Sequence, residues 1–179
     1  MRLGTLLLVT LASSTAVANY DVKMYQVRWC LLKMGKICNN IGAGRCCGDG
    51  NQYRSAKFAE VGGGKSTDQL KLYQDSKCGG AAIMQQAGTG CVSDDKKEVQ
   101  GAAVFVIVKS NDEEITRPAE VVEPDEAFLE EGPFKYTVKR DSPEGRAYDK
   151  LDRVEDQIEY LRNFGKREEI PEGVDSEAS

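Results

Sequence analysis

The stretch Gly42-Ala43-Gly44-Arg45-Cys46-Cys47-Gly48-Asp49-Gly50 places two adjacent cysteines inside a glycine-rich segment. Glycines on both sides of the pair favour a turn-rich loop. The side chains of neighbouring residues normally diverge, so we expect Cys46 and Cys47 to bond to two different partners. That expectation excludes some of the disulfide pairings that the chain could form.

All cysteines of the chain follow residue 18: they are Cys30, Cys38, Cys46, Cys47, Cys78 and Cys91. An even number in an exported chain favours a disulfide framework of three bridges, each stabilising the fold by roughly 2–4 kcal/mol. The sequence leaves several pairings open. The order of the cysteines is also that of an inhibitor cystine knot, although 30 residues between Cys47 and Cys78 make an unusually long interval for a knot.

Residues 1–18 have the pattern of a secretory signal peptide. Arg2 supplies a positive start, residues 6–12 supply a short apolar core, and Ala16-Val17-Ala18 supplies the small side chains that signal peptidase accepts. We expect cleavage after Ala18, a mature chain that begins near Asn19, and an extracellular location. No apolar run reaches the roughly 18 residues of a membrane span.

Charge and cysteine content change near Ser110. Residues 1–110 carry 14 Lys+Arg and 8 Asp+Glu, whereas residues 111–179 carry 10 and 21. We therefore expect four parts after the signal peptide: a cysteine-rich disulfide domain (19–110), an acidic linker with a possible edge strand (111–141), an amphipathic helix (142–165) and a disordered tail (166–179). The net charge of −5 gives no general attraction to nucleic acid.

Hydrophobic patterning predicts an α+β protein: a small, β-rich, disulfide-stabilised domain followed by the acidic linker and a C-terminal amphipathic helix. Alternation over 19–32 predicts a strand covered on both faces, and the apolar run 101–109 predicts a central strand. Residues 66–74 are expected to form a short helix. Within 142–165, Ser142 can cap a helix, Pro143 suits its first turn and Gly165 its exit.

The chain has no histidine, which excludes a Ser-His-Asp triad, a Cys-His dyad and a histidine-ligated metal centre. No cofactor and no metal are expected. A small secreted hydrolase or toxin acting through carboxylates remains an alternative. Its candidates are Asp49, Glu60 and Asp75, which flank the glycine-rich segments, and it requires two of them to converge in a cleft.

Four residues are candidates for binding: Trp29 and Tyr53, because exposed aromatic rings stack on sugars, and Arg45 and Lys65, because the first half of the chain is basic. Rigid loops at 39–45 and 48–66 are expected to present the contacts. The partner could be a protein or a glycan, and a cell-wall carbohydrate-binding protein is a further alternative. The dibasic pair Lys139-Arg140 is a candidate processing site, and Lys166-Arg167 is a second dibasic pair.

Over the whole chain, the signal peptide, the six cysteines with one adjacent pair and the dibasic sites resemble the small secreted cysteine-rich proteins of filamentous fungi. Many proteins of that class are effectors used in virulence. The resemblance implies an effector-like interaction protein that binds a host or competitor protein or glycan outside the producing cell and has no catalytic activity. It carries over no site residue.

Overall fold

The computed structural model describes residues 18–107 and 120–170. Within them the chain forms twelve strands, two α-helices and one 3₁₀ turn (Arg28–Cys30). The helices are α1 (Pro143–Tyr148) and α2 (Val154–Phe164). Numbered along the chain, the strands are β1 (Asn19–Tyr25), β2 (Met34–Gly42), β3 (Arg45–Tyr53), β4 (Ser55–Gly62), β5 (Gln69–Tyr73), β6 (Met84–Ala87), β7 (Val92–Ser93), β8 (Val99–Phe105), β9 (Glu120–Val122), β10 (Glu126–Glu131), β11 (Phe134–Lys139) and β12 (Lys166–Glu169).

The strands form two sheets that pack face to face. The larger has the order β12-β11-β10-β2-β1-β4-β7, and the smaller has the order β6-β5-β8-β3-β9. The main core lies between β1, β2 and β4 of the larger sheet and β3, β5 and β8 of the smaller one. The result is a β-sandwich whose core is held by apolar side chains from both inner faces.

The two predicted strands are present. β8 lies at the centre of the five-stranded sheet, as its continuous apolar run predicts, and it is buried throughout except for Gln100. In β1, Tyr20, Val22 and Met24 alternate into the core. The prediction over 19–32 is wrong beyond Tyr25, because residues 28–30 turn away from the sheet as a 3₁₀ turn.

The segment around the paired cysteines is a strand, β3, and the predicted loop is wrong for its second half. Side chains alternate across a strand, so Cys46 and Cys47 point to opposite faces of the smaller sheet. Cys47 enters the core between the sheets, and Cys46 joins a second cluster on the outer face. A Cβ at Gly48 would lie 2.3 Å from the Ser76 carbonyl oxygen, so this glycine serves close packing and not a turn.

The predicted helix at 66–74 is wrong as well. Residues 69–73 form β5, which pairs with β6 on one side and β8 on the other. Leu70 and Leu72 enter the core between the sheets. The alternation of these two leucines is the strand period, and the pairing on both sides outweighs the helix propensity of so short a segment.

The predicted acidic linker is wrong for residues 120–131, which contain β9 and β10, whereas the possible strand predicted within it is present as β11. β10 pairs antiparallel with β2, from Glu126 opposite Ile37 to Leu129 opposite Met34. The ladder therefore joins the acidic half to the cysteine-rich half across the boundary predicted near Ser110. The acidic residues in and around β10 favour a linker, but Ala127, Phe128 and Leu129 supply the buried side chains that make it a strand.

The single helix predicted over 142–165 is two helices. Ser142 caps α1 as predicted: its hydroxyl oxygen accepts the Gly145 N–H at 3.0 Å, and Pro143 occupies the first turn. Residues 149–153 separate α1 from α2. Both helices pack on Leu129 and Val138 of the larger sheet. The helices cover the inner face of the larger sheet at β10 and β11, and the smaller sheet covers that face at β1, β2 and β4.

The end of the described chain also differs from the expectation. Residues 166–169, predicted to be disordered, form β12, which pairs with β11. β11, predicted as an edge strand, therefore lies inside the sheet, and β12 forms the edge. Residues 171–179 of the predicted tail lie outside the described residues.

Most of the predicted signal peptide, residues 1–17, lies outside the described residues. Ala18 precedes β1, packs against the main core, and accepts the Ala43 N–H on its carbonyl oxygen at 2.9 Å. Among residues 18–107 and 120–170, no helix has the length and apolar character needed to cross a membrane.

Candidate functional site

Three disulfides connect the sandwich: Cys30–Cys91, Cys38–Cys47 and Cys46–Cys78. The expectation that the adjacent cysteines have different partners is confirmed. Cys38–Cys47 joins the two sheets inside the main core. Cys46–Cys78 fixes the segment after β5 to the outer face of the smaller sheet. Cys30–Cys91 joins the 3₁₀ turn to the residue before β7.

The segment from Arg28 to Lys33, called the Trp29 loop below, carries two exposed large apolar side chains, one of them the most exposed of the described chain. Trp29, the single tryptophan, is 54% exposed, and Leu31 is 80% exposed. Arg28 and Lys33 are exposed at the two ends of the loop. The loop therefore presents an apolar tip between two cationic side chains.

The backbone of the Trp29 loop is strained. Trp29 has φ 59° and Cys30 has φ 53°, both in the left-handed region. That region costs an L-residue with a bulky side chain roughly 1–2 kcal/mol. Strained residues of this kind persist only where the surrounding structure fixes them, and they are concentrated at functional sites.

Several contacts fix the Trp29 loop in this conformation. Cys30 is bonded to Cys91, and its N–H donates to the Ser55 hydroxyl oxygen at 3.1 Å. The Ser55 hydroxyl in turn donates to the Val27 carbonyl at 2.7 Å. The Arg28 guanidinium donates to the Asp95 carbonyl. The loop is therefore held on both sides of Trp29.

The other predicted binding residues do not join Trp29. Tyr53 is 1% exposed and its hydroxyl donates to Asp49, so the prediction that it contacts a partner is wrong. Arg45 pairs with Glu120 at 3.0 Å on the edge of the smaller sheet. Lys65 is exposed on the turn after β4, where its N–H donates to Asp68. The predicted loops 39–45 and 48–66 consist mainly of strands.

A polar cluster, buried except at Asp149, lies where the smaller sheet meets the helices. The Lys36 ammonium donates to Asp49 of β3 at 2.9 Å and to Asp149, just after α1, at 2.7 Å. The Tyr53 hydroxyl donates to Asp49 at 3.1 Å. We call Lys36, Asp49, Tyr53 and Asp149 the Lys36 cluster. It connects the larger sheet, the smaller sheet and the helix layer.

The ionisation of the Lys36 cluster follows from its surroundings. Burial acts to raise the pKa of the Asp49 carboxyl, but the Lys36 charge and the hydrogen bonds from Lys36 and Asn51 outweigh it and hold that pKa below its ordinary value. Burial and the neighbouring Asp49 raise the pKa of Tyr53 well above its ordinary value. Asp49 is therefore a carboxylate, and Tyr53 is a neutral donor to it.

The predicted catalytic carboxylates lie in three different settings. Asp49 belongs to the Lys36 cluster, Glu60 is exposed on β4, and Asp75 accepts the Lys77 N–H in the turn after β5. The cavity beside the Lys36 cluster has a volume of about 10 Å³, which is room for about one water molecule. No group of three or more potential metal ligands occurs within the described ranges.

The predicted processing site, Lys139-Arg140, lies at the end of β11. The Arg140 N–H donates to the Asp125 carbonyl at 2.8 Å, and the Lys139 carbonyl accepts the Ser142 hydroxyl at 2.7 Å. A Cβ at Gly145 would lie 2.1 Å from that same Lys139 carbonyl oxygen. The same Cβ would lie 2.8 Å from the Arg140 carbonyl oxygen, so α1 packs against the backbone of the pair, although the Lys139 side chain is exposed and that of Arg140 is 40% exposed.

Sequence reasoning missed Leu31, Lys36 and Asp149. Leu31 was included in the predicted strand, and the adjacent leucines at 31 and 32 gave no sign that one is exposed. Lys36 and Asp149 are separated by 113 positions, and no local pattern connects residues so far apart.

Residues 21–125 match the model of the ARB_05566_N family, which is described as an N-terminal domain. No curated protein and no solved structure matches the chain. The matched range covers more than half of the chain and contains the six cysteines, the Trp29 loop and strands on both sides of the boundary predicted near Ser110. The chain therefore belongs to the ARB_05566_N family.

Proposed function

We propose that this is a secreted, effector-like binding protein that acts outside the producing cell, without catalysis, by docking its Trp29 loop on a partner. The observation that carries the proposal is an exposed tryptophan in a strained, left-handed conformation beside a disulfide. Such strain adds nothing to stability, which favours a role in recognition. The three disulfides and the pattern of the first 18 residues support export.

The composition of the Trp29 loop favours a protein partner over a glycan. A tryptophan alone would suit stacking on a sugar ring, but Leu31 adds an aliphatic contact that a sugar does not require. Tryptophan is enriched among the residues that dominate protein–protein binding energy. The exposed cations Arg28 and Lys33 favour an acidic rim on the partner.

The rigidity of the Trp29 loop supports the same function. A loop that is already ordered loses little conformational entropy on binding, so more of the contact energy contributes to affinity. Here the order comes from Cys30–Cys91 and the Ser55 hydrogen bonds. Reduction of the protein should therefore weaken binding even where the sandwich itself stays folded.

The proposal is tested by binding of the fluorescently labelled, oxidised protein to plant, mammalian and yeast cell surfaces and to insoluble chitin. Each surface is used untreated, after trypsin and after glycosidase treatment, which separates protein from glycan partners. Trp29→Ala is the test variant. Phe164→Ala is the matched control, because Phe164 is an aromatic residue of similar exposure at the end of α2.

We expect trypsin-sensitive binding to at least one cell surface, a loss of at least tenfold in affinity for Trp29→Ala, and no change for Phe164→Ala. Equal losses for both variants would show a general aromatic effect and contradict the assignment to the Trp29 loop. Binding that trypsin leaves intact and glycosidase removes would replace the protein partner by a glycan.

A further inference from the structure

The two Lys-Arg pairs of the chain lie in different structural settings. The backbone of Lys139-Arg140 is enclosed by α1 and the neighbouring strand, whereas Lys166-Arg167 lies in β12, at the edge of the larger sheet. We propose that Lys166-Arg167 is a proteolytic processing site, cleaved in the folded protein after Arg167 by a subtilisin-like endoprotease specific for dibasic pairs. Lys139-Arg140 remains intact.

The enclosed pair requires extensive unfolding before a protease can bind it. β11 is paired on both sides, with β10 and with β12. Val138, next to Lys139, belongs to the core beneath the helices. Release of the Lys139-Arg140 segment would therefore break a ladder, the Ser142 cap and part of that core.

Cleavage at Lys166-Arg167 requires much less unfolding. β12 has four residues, and each of them is exposed. The strand pairs only with β11 among the described strands. The Lys166 side chain is 76% exposed and pairs with Glu168, and Arg167 lies over the Phe134 ring at 4.6 Å. Exposed pairs of this kind contribute little to stability, so β12 opens at low free-energy cost.

The conformation of β12 also suits a protease. Endoproteases of this class bind their substrates as extended strands through backbone hydrogen bonds. An edge strand is already extended and offers unpaired backbone N–H and C=O groups along its outer side. Lys166 and Arg167 then supply the two cationic side chains that a dibasic-specific protease reads.

The covalent step is hydrolysis and needs only water. The protease serine attacks the carbonyl carbon of Arg167, and the C–N bond to Glu168 breaks as the acyl-enzyme forms. Water then hydrolyses the ester bond of the acyl-enzyme and frees the serine. Arg167 gains a terminal carboxylate and Glu168 gains a terminal amine. No oxidant or reductant takes part.

The cleaved protein keeps its fold. α2 precedes the cut, and it is held by buried Leu161 and by Arg162, whose guanidinium donates two hydrogen bonds to Glu131. Residues from 168 onward contain five acidic and no basic residues, so their loss changes the formal charge of the printed chain from −5 to 0. Processing therefore removes an acidic segment and leaves the Trp29 loop in place.

The test is digestion of the oxidised protein with a purified dibasic-specific, subtilisin-like endoprotease, followed by intact-mass measurement. The same digestion of the reduced, alkylated and denatured chain shows whether each dibasic sequence is a substrate. The variants are Arg167→Ala and Arg140→Ala, with Lys166→Ala as a second variant of the edge pair. Circular dichroism establishes that each variant is folded.

We expect one cut after Arg167 in the folded protein and in Arg140→Ala, and a loss of that cut of at least tenfold in rate in Arg167→Ala and Lys166→Ala. The denatured chain should be cut at both pairs. A cut after Arg140 in the folded protein would overturn the proposal, and so would a folded protein that resists while the denatured chain is cut. The proposal would also be overturned if the protease did not cut the denatured chain after Arg167. The test does not depend on the partner of the Trp29 loop.

Discussion

Lys36 shows how one residue joins the three layers of the molecule. Its side chain leaves the inner face of the larger sheet and meets one carboxylate from the smaller sheet and one from the end of α1. Removing one partner from a buried charge costs far more than a surface ion pair contributes, because the remaining charge is left undersolvated. We therefore expect the Lys36 cluster to stabilise the junction of the layers.

Asp49→Asn should lower the free energy of unfolding by about 2 kcal/mol at neutral pH. The pKa of Asp49 is lower in the folded than in the unfolded state, so its contribution is present above about pH 4 and is lost as the pH falls through the folded pKa. The difference between wild type and variant should therefore shrink in acid. Urea unfolding at a series of pH values measures it.

Asp152→Asn is the control for this prediction, because Asp152 is exposed between the helices. It should change stability by less than about 0.5 kcal/mol at every pH. An Asp49→Asn effect that stays constant with pH would contradict the ionic role of Asp49.

Gly48 and Gly101 form a cross-strand pair between β3 and β8. A Cβ at Gly101 would lie 2.7 Å from the Asp75 carbonyl oxygen and 2.8 Å from Cys78 Sγ. The two glycines therefore let the segment that carries Cys78 lie directly on the sheet. This close approach allows the Cys46–Cys78 bridge to form.

Gly101→Ala should lower the free energy of unfolding by about 2 kcal/mol, because a methyl group there must displace backbone and a disulfide sulfur. Thermal unfolding of the oxidised protein measures the effect. Gly62→Ala, which has open space around the new methyl group, should be neutral or slightly stabilising. Equal melting temperatures for wild type and Gly101→Ala would contradict the packing argument.

At the scale of elements, α1 and α2 cover the part of the larger sheet that the smaller sheet leaves open. Leu161 of α2 is fully buried there with Val138 and Tyr148. Leu161→Ala should therefore lower the free energy of unfolding by about 3 kcal/mol. Asn163→Ala, at an exposed position of the same helix, is the control and should be nearly neutral. Chemical denaturation measures both, and an equal effect of the two variants would contradict the docking of α2.

Elements with a strong local signal were predictable from the sequence. β8 has a continuous apolar run, β1 alternates, and Ser142 caps α1. β5 and β10 were not predictable, because their pairing partners, and not their own residues, make them strands. In β3 the glycines permit close packing, whereas the sequence reading took them for turns.

The whole molecule depends on three disulfides that close loops of different length. Cys30–Cys91 spans 61 residues, Cys46–Cys78 spans 32 and Cys38–Cys47 spans 9. Loop-closure entropy gives a stabilisation of about 4 kcal/mol for the longest loop and about 3 kcal/mol for the shortest. Double serine variants of each pair should therefore lower the melting temperature most for Cys30–Cys91. Scanning calorimetry measures the order, and a reversed order would contradict the entropic account.

The candidate site was predictable only in part. The aromatic side chain of Trp29 predicts a contact residue, but Tyr53 has the same character and is buried. Exposure depends on whether a residue falls in a strand or on a turn, and the 3₁₀ turn at residues 28–30 had no sequence signal. The cysteine count predicts the number of disulfides. Their pairing is not predictable from the sequence, because it depends on where the two sheets place each cysteine.

Stability of Trp29→Asn tests most directly whether the molecule presents Trp29 for binding. Asparagine tolerates the left-handed conformation better than tryptophan does, and little buried contact is lost at a side chain 54% exposed. The account predicts a variant as stable as wild type or up to about 1 kcal/mol more stable in urea unfolding. A loss of about 2 kcal/mol or more would show that Trp29 supports the fold and would contradict its role as a presented contact.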